Sequence, residues 1–255
     1  MAPGRIACRH GNPASRRGGV LRRPAIPGTG AWSNGPVTHG PTVRRIDDPD
    51  EEGPDVRTAE QRDVPRVAAT LTLALGDSRW TRWALPDDGR MQRLTRLNEL
   101  DAGHRGVGTG TAWVTDDVTA VAVWEPPPGA PGTRPLPDDV RAALARELPY
   151  LSGPRARVVA ETEALVTAAL PDRPHWRLRH LGVRPSSRRR GLAAAVLAPV
   201  LVRCDAEKTP AAAAVFGWAN VRFFRGFGFQ VTETTRTSDD ELPLWVLVRE
   251  PLALS

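Results

Sequence analysis

Apolar residues first fall into a regular rhythm after residue 55. Val67, Leu71 and Leu75 recur every four positions behind Asp63 and Pro65, which predicts an amphipathic helix capped by Asp63 with proline in its first turn. A second helical stretch covers 90–100, with Met91, Leu94 and Leu97 on one side, and glycines at 103, 106, 108 and 110 are expected to break it. Residues 111–115 and 118–124 are rich in Val, Trp and Thr and flank Asp116-Asp117, the pattern of an antiparallel hairpin. After a proline-rich loop over 126–135, Asp138 or Asp139 opens a helix carrying Val140, Leu144 and Leu148, and another helix follows over 155–170.

The later part reads as strand 176–183, helix 191–206, buried strand 211–216, short helix 220–227, and a closing pair of strands over 229–235 and 242–248. Strand, helix, strand, helix in succession implies two neighbouring parallel strands within a mixed sheet. Pro199 lies well past the first turn of the 191–206 helix, where a kink rather than a break is expected.

Residues 1–55 show neither a two-residue nor a 3.6-residue apolar period and are dense in Gly, Pro, Arg and Ser. Such a stretch buries too little surface to offset its ordering entropy and is expected to be a disordered extension or the product of a misassigned start. The folded unit is expected over 56–250. Composition changes this picture little. With 40% hydrophobic residues the chain has enough for a core, and no run of 18 apolar residues suggests a membrane span, so a water-soluble, cytoplasmic protein is expected. The net charge of +6 is concentrated in residues 1–50, where eight Arg face three Asp, which argues against nucleic acid as the folded unit's partner. The reading in which the Arg-rich extension itself binds nucleic acid or an acidic partner stays open. Cys8 and Cys204 have no metal-ligand spacing and the five His are unclustered, so no metal is assigned.

Between strand 176–183 and helix 191–206 stands His180-Leu181-Gly182-Val183-Arg184-Pro185-Ser186-Ser187-Arg188-Arg189-Arg190-Gly191-Leu192-Ala193. A strand, a tight turn and a helix start in direct succession aim free main-chain N–H groups at one point, where a phosphate is held by hydrogen bonds and by the helix dipole. Small residues at 191 and 193 leave that point open, and the arginines add charge. By contrast, Gly106-Val107-Gly108-Thr109-Gly110 precedes a strand instead of joining strand to helix, so it reads as a loop and not as a dinucleotide fingerprint. Neither G-x-x-x-x-G-K-[ST] nor G-x-S-x-G occurs.

Arg188 to Ala193 matches the R/Q-x-x-G-x-G/A signature of the GNAT N-acetyltransferase superfamily. With Leu181-Gly182-Val183 before it and Asn220-Val221-Arg222-Phe223-Phe224 leading to Gly228-Phe229 after it, the region 175–235 resembles that family. The resemblance implies an α/β fold whose mixed, mostly antiparallel sheet is flanked by helices and carries a parallel pair splayed at the cofactor site. It implies acetyl-CoA as co-substrate: Leu181, Gly182 and Val183 on the acyl-pantetheine arm, Arg188, Arg189, Arg190, Gly191, Leu192 and Ala193 on the pyrophosphate, and Asn220 on CoA. The implied reaction is direct attack of a primary amine, on a small molecule or a peptide, on the thioester carbonyl, with a main-chain N–H near Leu181 or Val183 stabilising the oxyanion. A homodimer is compatible with it.

The sequence departs from the family in two places. Phe224 stands where many members carry the tyrosine that protonates the departing thiolate, and the strand 211–216 lacks the polar residues often found at its end. Both departures keep open an alternative, a catalytically weak or inactive acyl-CoA-binding regulatory module. For the general base, His180 and Glu125 are candidates, with Glu161 and Glu163 read as solvated helix charges. Trp80, Trp83 and Trp113 are candidates to line the acceptor side.

Overall fold

In the computed structural model the described residues are 54–252, so the expected extension falls outside them except for Pro54 and Asp55. Among the described residues a seven-stranded sheet runs in the order β1-β2-β3-β4-β5-β7-β6. Its strands are β1 (Val56–Thr58), β2 (Ala112–Thr115), β3 (Ala120–Glu125), β4 (Trp176–Val183), β5 (Ala211–Val215), β6 (Gln230–Arg236) and β7 (Pro243–Arg249). All neighbours pair antiparallel except β4 and β5.

The helices are α1 (Val64–Leu75), α2 (Arg79–Ala84), α3 (Arg90–Leu97), α4 (Arg105–Thr109), α5 (Asp138–Ser152), α6 (Ala156–Ala169), α7 (Leu192–Ala206) and α8 (Trp218–Arg225). On one face of the sheet, α7 covers Ala120, Ala122, Trp124, Trp176, Leu178, Ala211 and Ala213, and runs unbroken through Pro199. On the other face, Val67 and Leu71 of α1 pack on Ala112, Val114, Val121 and Val123. The alternation along β2 and β3 therefore divides their residues between the two cores, as a two-residue period requires. A third apolar cluster joins Trp83, Leu85, Leu94, Leu97, Leu144, Leu151 and Leu242.

Several expectations are corrected. Asp63 stands at the start of α1 but makes no cap hydrogen bond there. Its carboxylate is taken by Arg57, at 2.6 and 3.1 Å, and by the Glu60 N–H at 2.9 Å, which tie β1 to the turn before the helix. The glycines at 103, 106 and 108 do not break the second helix, and 106–110 is not a loop. The chain continues from α3 through a π-helical stretch, Asn98–His104, into α4, and ends only at Gly110, which is left-handed at φ +74°. These glycines serve packing. A Cβ at Gly103 would stand 2.8 Å from Val64 Cγ1, one at Gly106 2.8 Å from Ala112 Cβ, and one at Gly108 2.9 Å from the Pro137 ring. Met91 is exposed, whereas Leu94, Leu97 and Leu100 are buried.

Candidate functional site

The parallel pair that carries the site is short. Trp176, Arg177 and Leu178 of β4 register with Ala211, Ala212 and Ala213 of β5, and no residue of β4 beyond Leu178 pairs with β5. On its other side β4 stays paired with β3 as far as Val183, but the register shifts between Val123, opposite His180, and Trp124, opposite Leu178. Arg179 is thus a surplus residue, a β-bulge. Bulges bend a strand and increase its twist. Here the bend coincides with the loss of β5 as a partner, so a wedge opens between the carboxyl ends of two parallel strands. Main-chain groups of 179–183 on that side have no ladder partner, and a buried or half-buried main chain demands one.

The turn after β4 closes over this wedge. Pro185–Ser187 forms a single 3₁₀ turn, Arg189 is left-handed at φ +63°, and Gly191 is left-handed at φ +77° immediately before α7. A Cβ at Gly191 would meet nothing within 4 Å, so the glycine is required by conformation and not by space. The Ala195 N–H bonds the Gly191 carbonyl at 3.1 Å, the first bond of α7. No side chain caps the helix, so the N–H groups of Leu192, Ala193 and Ala194 are left without helical partners at its positive end. Arg188, Arg189, Arg190 and Gly191 are exposed, while Leu192 is buried in the core.

Not every predicted cofactor residue has a side chain free for a ligand. Arg188 donates to the Ala74 carbonyl at 3.1 Å, pinning the turn to the end of α1. Gly182 lets α1 approach β4, since a Cβ there would lie 2.7 Å from Leu71 Cδ2. Leu181 and Val183 pack toward α7, leaving only their main chain at the open edge. Asn220 is exposed in the first turn of α8, which follows β5 as α7 follows β4. The starts of both helices therefore flank the wedge, the usual position for a ligand in an open parallel arrangement.

A cluster of charges gathers on the α1 side of the bulge. His180 Nε2 lies 2.7 Å from Asp101 Oδ2. Arg105 Nε reaches Asp101 Oδ1 at 2.6 Å, and Arg179 Nη2 lies 3.4 Å from Oδ2. Arg179 Nη1 also meets Glu125 at 3.1 Å and Glu163 at 3.3 Å, and Arg177 holds Glu163 at 2.8 Å. Burial pushes the Asp101 carboxyl up, but Arg179, His180 and Arg105 outweigh it and hold Asp101 well below the ordinary carboxylate range. Arg179 is raised in turn, chiefly by Asp101, and stays charged. Glu163 is not the solvated helix charge that its position in the sequence suggested; among the described residues Glu161 pairs only with exposed Arg157. Asp101, the hub of the cluster, was absent from the sequence-based candidates.

Thr162 of α6 accepts from the Ser238 N–H at 3.1 Å, tying α6 to the β6–β7 connection. Arg155 stacks over the Trp83 ring at 4.8 Å. Trp113 packs with the α7-side core whereas Trp80 and Trp83 belong to the third cluster, so the three indoles do not form one wall. Phe224 is 5% exposed and packs edge-on against Phe223 and Phe229 at 5.2 and 5.3 Å; its phenyl ring has no proton to give. Among the described residues no group of His, Cys, Asp and Glu is arranged to hold a metal ion, and no helix is long and apolar enough to cross a membrane.

No protein-family model matches the chain. Among solved structures it is similar to a protein from Corynebacterium glutamicum ATCC 13032, a "histone acetyltransferase HPA2 and related acetyltransferase", at 21% identity and a TM-score of 0.56. The alignment covers 80% of this chain and 99% of that one. A polyamine N acetyltransferase of Drosophila melanogaster aligns over 77% of this chain and 99% of its own, at 16% identity and a TM-score of 0.47. Ard1 from Thermoplasma volcanium aligns over 79% and 99%, at 15% identity and 0.46. Strand order, the single splayed parallel pair and the first of these likenesses agree: this chain has the fold of the GNAT N-acetyltransferases.

Proposed function

We propose that the chain is an N-acetyltransferase that passes an acetyl group from acetyl-CoA to a primary amine. The observation that carries this reading is the wedge: three paired residues between β4 and β5, then separation, with the uncapped start of α7 facing the opening. The donors and acceptors there suit the co-substrate. The free edge of 181–183 offers a ladder to the amides of a pantetheine arm, and the N–H groups of Leu192 to Ala194 offer a phosphate three donors aligned with a helix dipole. Arg189 and Arg190, both exposed, add positive charge, and Asn220 stands across the wedge. Bound there, the thioester supplies an activated acyl carbon. The chain holds the amine beside that carbon, and such positioning by itself supplies a large part of the acceleration.

A reading as a cofactor-binding regulatory module draws on Phe224, which provides no acid for the departing sulfur. A thiol of ordinary pKa, about 8.5, leaves readily enough for water to protonate it, so transferase remains the better reading.

Calorimetry with acetyl-CoA tests binding, using Gly191→Glu and Gly191→Ala. Both carry the strain of a side chain at positive φ, about 1 kcal/mol, but only glutamate repels phosphate. Wild type and alanine should bind and glutamate should not. Thiol release with spermidine, tyramine and an alanyl peptide then separates transfer from mere binding. No acetyl-CoA binding by the wild type would defeat the proposal.

A further inference from the structure

Acylating an amine releases a proton, so the reading above, on which this inference rests, requires a group beside the wedge to accept it. Glu125 and Glu163 are both taken up in ion pairs with Arg177 and Arg179, and although burial pushes the Glu163 carboxyl up, the two arginines outweigh it and hold it below the ordinary carboxylate range, which weakens it as a base. His180 differs from both. It is the first residue past the bulge, where β4 has just lost β5, and its side chain is 13% exposed. Its Nε2 meets Asp101, whose other oxygen is taken by Arg105. An ionised carboxylate only accepts hydrogen bonds, so Nε2 must carry the hydrogen, and in the neutral ring the lone pair then lies on Nδ1. Among the described residues Nδ1 has no hydrogen-bond partner, and it is the ring nitrogen nearer the strand.

We propose that His180 is the catalytic base, taking the amine's proton at Nδ1, and that Asp101 is the positioning residue that fixes its tautomer. The amine nitrogen bonds to the acyl carbon, the proton passes to Nδ1, and the carbon–sulfur bond breaks with its electron pair leaving on sulfur, which takes a proton from water. The imidazolium formed is stabilised by Asp101 and returns its proton to solvent. Asp101 from the π-helical stretch meets the ring, and the charge cluster continues behind it through Arg105 from α4, Arg177 and Arg179 from β4, Glu125 from β3 and Glu163 from α6; α1 meets β4 beside it, at Gly182, through Leu71 and Ala74. Three arginines balance three carboxylates, so the proton on His180 adds the one uncompensated charge. The π-helical stretch delivers Asp101 to this point, in keeping with the frequency of such turns at functional sites.

The test uses the full chain and whichever amine of the panel turns over fastest. In His180→Gln, kcat should fall by about 10²-fold or more while acetyl-CoA affinity is unchanged. In Asp101→Asn, Arg105 claims the new carbonyl at the Oδ1 position, the amide NH₂ takes the Oδ2 position against Nε2, and the ring's hydrogen moves to Nδ1. The expected loss in kcat again exceeds about 10²-fold, by the same wrong-tautomer effect seen when a triad aspartate becomes asparagine. Because Asp101→Asn alters a buried charge cluster and can fail to fold, the tautomer is also read in the wild type by ¹⁵N correlation of the imidazole nitrogens. Hydrogen on Nε2 is expected. Hydrogen on Nδ1 in the wild type, or undiminished turnover in His180→Gln, overturns the base while leaving the transferase reading intact. Absence of acetyl-CoA binding by the wild type overturns both.

Discussion

The Trp83 indole N–H donates to both carboxylate oxygens of Asp239, at 3.1 and 3.3 Å, joining α2 to the β6–β7 connection across 156 residues of chain. Arg155 reaches the same carboxylate at 2.6 Å. Burial pushes Asp239 up, but hydrogen bonds from the Thr237 hydroxyl, the Glu241 N–H, Trp83 and Arg155 hold it well below the usual range. A depressed folded-state pKa means that its stabilisation is complete above the unfolded value of about 3.9 and is lost as pH falls further toward the folded value. Asp239→Asn should therefore cost about 1–3 kcal/mol at pH 7. Urea unfolding should show the gap from wild type narrowing between pH 4 and pH 2; a gap independent of pH would contradict this account.

Gly106→Ala places a methyl group 2.8 Å from Ala112 Cβ and 3.0 Å from Val123 Cγ1, between α4 and the hairpin. Overpacking of this kind costs about 1–3 kcal/mol, more than the gain in helix propensity returns. Thermal unfolding should show Gly106→Ala less stable than the wild type.

Arg249 is 4% exposed and grips Asp205 with two bonds of 2.7 and 2.8 Å, while its Nε donates to the Phe227 carbonyl at 2.9 Å. Arg249→Met strands Asp205, a loss of about 3–5 kcal/mol. The double variant Asp205→Asn with Arg249→Met should recover part of that loss. Chemical denaturation of the two variants decides whether the pair, and not the arginine alone, is responsible.

Cys204 is fully buried in the α7 core, and desolvation pushes its thiol up to about 12. In a Cys8→Ser background, a disulfide reagent at pH 8 should release no colour until denaturant is added. Reaction in the native state would mean that α7 opens far more readily than its packing implies.

The fold was legible largely because its signals were local. The bounds of β4 follow from its own residues, and the turn over 184–191 announces itself through Pro185 and Gly191. The glycines at 103 and 106 misled because a glycine beside a neighbour looks the same in sequence as a glycine that ends a helix. Only Val64 and Ala112, distant in the chain, tell the two apart. Asp101 was missed although a signal existed. It follows Leu94 and Leu97 at helical spacing, so a charge sits on the buried side of its helix, and a buried charge demands partners. Which partners it finds depends on Arg179 and His180, nearly 80 residues later.

The surplus residue in β4 also acts as a phase shifter. Trp176 and Leu178 face α7 at even positions, yet Leu181 and Val183 face the same helix at odd ones, because Arg179 consumes one step of the alternation. The apolar rhythm of this strand is thus written out of step with itself, and the fold brings it back into step at the place where the wedge opens. Deleting Arg179 would leave every apolar residue of β4 on its present face. The parity of the core and the opening of the wedge are consequently separable, and a chain could gain or lose such an opening by one codon while keeping the same interior.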